Sequence, residues 1–220
     1  MDIKNSKSIK RSLALLTIFL LLISAIEMLV SIQGSNSLTK NLKNISEVQM
    51  PSIRLITLLD MMHDGLRAVV FHSLLVSASK DEDQSVIVKE ELKEFTANFH
   101  EYLSTLKLLG LNSTIKEALE KVEAPLNEYI QTSSSIVETA LSGKAKEAMN
   151  ELPLFQLSFK KLESQLEVLG ELIEKEADKG KEQSLIEANR NDVILKMTAL
   201  MGALMGIIFF IFITRSTVSS

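Results

Sequence analysis

Hydrophobic and polar positions divide the chain into three kinds of stretch. Unbroken apolar runs lie near each end, heptad-spaced apolar residues fill the middle, and polar stretches join the two. Leu13 to Ile32 reads LALLTIFLLLISAIEMLVSI, with one charge at Glu27. Val193 to Thr214 reads VILKMTALMGALMGIIFFIFIT, with one charge at Lys196. At about 1.5 Å per residue, each run of roughly 20 residues is long enough to cross a hydrocarbon core of about 30 Å.

Between the runs, apolar residues recur at heptad spacing in successive segments. The first is Ile45, Val48, Leu55, Leu59, Met62, Leu66, Val69 and Val76, interrupted at Ser52 and Ser73; the second is Val88, Leu92, Phe95, Phe99, Tyr102, Leu106 and Leu109. The third is Ile115, Leu119, Val122, Leu126, Tyr129 and Ile136, and the fourth Leu152, Phe155, Phe159, Leu162, Leu166, Leu169 and Ile173. Breakers separate them at Ser79-Lys80-Asp81-Glu82-Asp83, Gly110-Leu111-Asn112-Ser113 and Ser142-Gly143-Lys144. Connections this short join antiparallel neighbours. The pattern predicts an all-α, membrane-anchored, antiparallel up-down-up-down four-helix bundle, its first and fourth helices continuous with the transmembrane helices. Pro51 is a natural kink or start point, Pro125 should kink the third helix, and Pro153 suggests a fourth helix starting there, capped by Asn150, after a separate turn from Lys144 to Met149. The polar stretches 33–50 and 174–192 read as a two-helix stalk of roughly 25–30 Å. Such a pair is weakly stable alone, which predicts a homodimer.

Composition sharpens this. With 8 Gly, 3 Pro and no Trp or Cys, the chain favours helix and cannot be a disulfide scaffold. Lys4, Lys7, Lys10 and Arg11 precede the first span against the single acid Asp2, and Arg215 follows the second. The positive-inside rule then puts both ends in the cytoplasm and the acidic middle outside. A cleaved signal peptide is the rival for the first run, but no clear small-x-small site follows it before Gln33.

Chemistry-bearing motifs are few. No phosphate loop, zinc spacing, nucleophile elbow or basic-aromatic patch is present. The sequence therefore predicts no enzyme, cofactor, metal or nucleic-acid partner. The most unusual cluster is Asp60, His63, Asp64 and Arg67, followed by His72. The first four are three or four residues apart on one helix flank. They suit either an ion-pair ladder at a helix interface or a small-ligand site, in which Arg67 grips a carboxylate and His63 completes the polar wall; a metal held by His63, Asp60 and Asp64 is the poorest fit. In the second span, Gly202 and Gly206 form a GxxxG face suited to close helix packing. Glu27 and Lys196, costly in a bilayer, are expected to face each other.

Met50-Pro51-Ser52-Ile53-Arg54 and Met61-Met62-His63-Asp64-Gly65-Leu66-Arg67-Ala68 resemble the first sensory helix of methyl-accepting chemotaxis proteins. Ile213-Thr214-Arg215-Ser216-Thr217-Val218 resembles the lead-in to the HAMP relay after their second span. The resemblance implies a chemoreceptor-like module in a bacterial inner membrane, with a cytoplasmic start (1–12), spans at 13–32 and 193–214, a periplasmic sensory domain (33–192) and a linker start (215–220). It also implies a small-molecule ligand or a periplasmic binding protein as partner, and a piston or tilt of the fourth helix as the signal. Where the lead-in usually continues to Pro, this sequence has Ser219-Ser220, so a truncated product or an input module acting through a separate partner is expected. A histidine kinase or cyclic-dinucleotide enzyme input, or a ligand-free scaffold, are the alternative outputs.

Overall fold

The computed structural model describes residues 3–79 and 81–218. Asp2, Lys80 of the first predicted turn and the terminal Ser219-Ser220 lie outside the described residues. The described residues form α1 (Ile3–Asn44), a π-helical turn (Ile45–Gln49), α2 (Met50–Ser79), α3 (Glu82–Leu108), α4 (Ser113–Leu141) and α5 (Ala145–Val218). Two compact units result, one from residues 43–179 and one from 1–42 with 180–220.

The first unit is the four-helix bundle. Its helices run antiparallel, as the paired residue numbers show. Gly65 lies against Phe95, and His72 meets Glu91 across α2 and α3. Glu128 holds Lys161, and Ser135 holds Glu151, across α4 and α5. His63 meets Phe159, and Ile56 meets Gly170, across α2 and α5. The heptad positions fill the centre: Leu59, Leu66, Leu106, Leu126, Ile136, Leu162 and Leu169 are all fully buried. The two serines that interrupt the first run are buried too, their hydroxyls donating to carbonyls of their own helix, Ser52 to Val48 at 2.5 Å and Ser73 to Val70 at 2.7 Å. Back-bonding of this kind lets a serine sit in a core without an orphaned donor.

The breakers act through their caps. Asp81 accepts from the Gln84 amide at 3.1 Å and Asn112 from the Ile115 amide at 3.0 Å, each starting a helix. After α4, Gly143 takes φ +81°, its amide donates to Ala140, and the Lys144 amide donates to Thr139. That paired closure needs a left-handed residue, which Gly adopts without strain. One expectation is corrected here. The fourth helix starts at Ala145, with Asn150 and Pro153 inside it, and no separate turn precedes Pro153. Pro153 removes the amide that would reach the Met149 carbonyl, yet the helix runs through it, so the earlier residues stay helical. Similarly, α4 passes through the buried Pro125 as one helix.

Pro51 has a local effect. It cannot donate to the carbonyl four residues back, and its ring crowds that carbonyl. The preceding turn widens to a π-turn, with Met50 donating to Ile45 instead.

The second unit pairs α1 with the far part of α5. Ile23 faces Gly202, Gly34 faces Asn191, and Ser37 and Asn41 both donate to Glu187, so the pair is antiparallel. A Cβ on Gly34 would stand 2.6 Å from Asn191 Nδ2, so a larger residue there would push the Asn191 side chain aside. Both helices are long and apolar enough to cross a membrane, and their most apolar windows contain no buried residue. Lys196 has a different partner from the one expected: its ammonium pairs with Asp192, one turn back, at 2.6 Å, while no ion pair links it to Glu27 among the described residues. A carboxylate four residues away on the same helix is always within reach; Glu27 is on another helix.

Candidate functional site

Helical geometry sorts the Asp60–His72 cluster. At about 100° per residue, His63 falls toward the core-facing Leu59 and Leu66, Asp60 and Asp64 fall outward, and Arg67 falls between them. The structure follows this division: His63 is buried, whereas Asp60, Asp64 and Arg67 are exposed. His72 lies on the opposite flank of α2, its Nδ1 3.4 Å from Glu91 of α3. The structure therefore brings His63 and Arg67 together, leaves Asp60 and Asp64 outside them, and separates His72. No ion pair links Asp60, Asp64 and Arg67 among the described residues.

His63 is held from two other helices, α4 and α5. Its ring stacks on Phe159 of α5, with centroids 3.9 Å apart and an interplanar angle of 17°. Tyr129 of α4 sits 5.1 Å away and donates its hydroxyl to the His63 carbonyl at 2.8 Å. Nε2 lies 3.1 Å from the Phe159 carbonyl. A carbonyl only accepts, so Nε2 carries the proton and donates. Burial lowers the His63 pKa, outweighing the carbonyl and the nearby Asp64, Glu163 and Asp60, which raise it. Burial pushes the Tyr129 phenol well above its ordinary value, so it stays a neutral donor.

Phe159 connects this buried knot to the surface. The Arg67 guanidinium lies 4.7 Å from the centroid of the same ring, a cation–π distance. Around it opens a groove of about 370 Å³ lined by Arg67, Phe71, Phe155, Gln156, Phe159, Lys160 and Glu163. Phe71 meets Phe155 edge-on at 6.4 Å. The groove thus offers aromatic walls, an amide, two cations and one carboxylate, Glu163, and no ion pair among the described residues engages Arg67. A free guanidinium beside aromatic rings can hold a carboxylate through two parallel hydrogen bonds. Sequence reasoning named Arg67 and His63 but took Phe155 and Phe159 as core alone. Their heptad positions are core positions; the missing signal was that a core ring can also show an edge to the groove beside it.

The other expected packing residues are placed by the second unit. Gly202 lies against Ile23, where an added Cβ would be in ordinary contact at 3.8 Å, and a Cβ on Gly206 would meet nothing within 4 Å. Among the described residues no group of His, Asp and Glu is arranged to hold a metal ion.

No curated protein matches the chain. Residues 6–187 match the family described as a four helix bundle sensory module for signal transduction. The chain belongs to this family, whose module is typical of methyl-accepting chemotaxis proteins.

Proposed function

We propose that this chain, as a member of that sensory family, detects a small carboxylate outside the cell membrane and passes the event to α5. The single observation carrying this reading is Arg67, unpaired and poised over Phe159 in an aromatic groove. The groove spans α2 and α5, so an occupant would touch both. Phe159 is also the ring on which His63 stacks, which links groove occupancy to the buried packing. A ligand shifts such a module only by its difference in affinity between two arrangements of the helices, here proposed to differ by a piston or tilt of α5.

The basic start and acidic middle support an orientation with both termini in the cytoplasm of a bacterial inner membrane and the bundle in the periplasm. In this reading 33–50 and 174–192 are the membrane-proximal stalk and 215–220 the start of the cytoplasmic linker. A homodimer is supported by a second heptad stripe on the outside of α2, through Met50, Thr57, Met61, Ala68, Phe71 and Leu75, all exposed. Its apolar members are the kind a partner helix would cover.

A thermal-shift screen of the full chain in mild detergent against amino acids, organic acids and aromatic carboxylates tests the reading. At least one carboxylate should raise Tm, and Arg67→Ala should abolish that rise. A rise of the same size in Arg67→Ala would move the site elsewhere. Light scattering of the same sample tests the dimer, which a strictly monomeric species would rule out.

A further inference from the structure

The end of the bundle where the π-turn joins α2 contains a second cavity, far along α2 from Arg67. It has a volume of about 150 Å³ and lies between the π-turn, the α3–α4 connection and α5. Its apolar walls are Val48, Leu111, Ile115 and Ile173, and its polar lining includes Gln49, Ser52 and Glu176. Gln49 is 9% exposed, and its carboxamide, which makes no hydrogen bond within the chain among the described residues, keeps contact with solvent. Unpaired within the chain, it is free to bond an occupant of the cavity.

The lining constrains that occupant. It includes one carboxylate, Glu176, and no Lys or Arg, which disfavours anions. Glu176 has no ion-pair partner among the described residues. The Ser52 hydroxyl donates to Val48, which leaves its oxygen free to accept. With Gln49 Oε1 and Glu176, the cavity then presents three kinds of acceptor, matching the three donors of a primary ammonium. Asn112 uses its Oδ1 to cap α4, so it adds no acceptor there. The apolar walls suit a short alkyl chain. A dry cavity of about this size admits a six-carbon ring, so a ligand of roughly five or six heavy atoms fits.

We infer that this cavity is a binding site for a small primary alkylammonium, separate from the Arg67 groove. Its ammonium is held by Glu176, Gln49 and Ser52, and its chain lies against Ile115 and Ile173. Occupancy ties the π-turn to α5 in a place where Pro51 has already loosened the helix.

The test is isothermal calorimetry on the full chain in detergent with n-butylammonium chloride, and with butyrate and 1-butanol as chemical controls. Saturable binding of butylammonium, at least tenfold tighter than either control, is expected. Glu176→Gln and Gln49→Met should each weaken it tenfold or more, and Arg67→Ala should leave it unchanged. Absence of saturable binding to the wild-type chain overturns the proposal, as does wild-type affinity in both cavity variants. Loss of binding in Arg67→Ala would assign the amine to the other groove and also overturn it. Melting of the unliganded variants guards against misfolding. Gln49→Met removes an unpartnered amide, so its Tm should hold or rise; a fall would show that the amide has a partner, and the inference would fail with it.

Discussion

The bundle and the span pair are both made of helices, but they are held together differently. In the bundle, apolar side chains from four helices close over one another, and Leu59, Leu66, Leu126 and Leu162 see no solvent. In the span pair, the apolar residues face outward and the links between helices are polar: Ser37 and Asn41 on Glu187, and Gly34 against Asn191. Water drives the first kind of assembly, because burial removes apolar surface from it. Lipid gives the apolar runs no such drive, so close packing such as Gly202 against Ile23 carries them, while the polar links lie in the proposed stalk. A change that is severe in one unit should therefore be mild in the other.

The largest contrast is expected from cavity-forming substitutions. Leu66→Ala removes a fully buried side chain and should cost the bundle about 2–5 kcal/mol in chemical denaturation followed by helix circular dichroism. Leu204→Ala, on an exposed position of α5, should change stability in detergent by less than about 0.5 kcal/mol. Equal losses would erase the distinction between the units. Tyr129→Phe comes next. It deletes the hydroxyl donated to the His63 carbonyl and should cost about 1–2 kcal/mol.

Acidity sharpens the comparison by separating the units on the pH axis. The His63 pKa is lowered on folding, so the unfolded chain binds its proton first. Bundle stability should be full above the ordinary histidine value of 6.5 and fall below it, by at most about 1.4 kcal/mol per pH unit, until the folded histidine also protonates. His63→Phe should flatten that slope. Glu187 behaves in another window. Hydrogen bonds from Ser37 and then Asn41 lower its pKa, so its contribution is present above the ordinary carboxylate value and is lost only as pH falls through the lowered one. The pH dependence of melting between 7.5 and 5 should thus register His63 and be unchanged by Glu187→Gln. The smallest effect belongs to the surface. Asp192→Asn breaks the exposed pair with Lys196, and its cost should stay within about 0.5 kcal/mol.

Much of this architecture is legible in the sequence, because helices written in heptads with Gly, Asn and Asp between them leave few other foldings. The turns at Asp81, Asn112 and Gly143 were each marked by a residue with the right backbone or capping chemistry. The site was legible only in part. Spacing put His63 with Asp60 and Asp64, but a helix flank is continuous, and the difference of one position decides whether an imidazole meets water or Phe159. Nothing in the spacing tells which face of α5 would arrive there. The start of α5 was misplaced for a similar reason: Pro153 looks like a boundary in sequence, yet the turn is closed ten residues earlier by Gly143. The π-turn was foreseeable as a disturbance at Pro51, but its form depends on which carbonyl is left for Met50.

Tyr129 gives the molecule a built-in optical label. The chain contains no Trp and only two Tyr, Tyr102 and Tyr129, and both belong to the bundle. Tyrosine absorption, fluorescence and dichroism at about 280 nm, beyond the phenylalanine bands, therefore report on that unit alone, while far-ultraviolet dichroism sums the helices of both. A melt in which the tyrosine signal collapses before the helical signal would resolve the two units as separate transitions, with no probe attached.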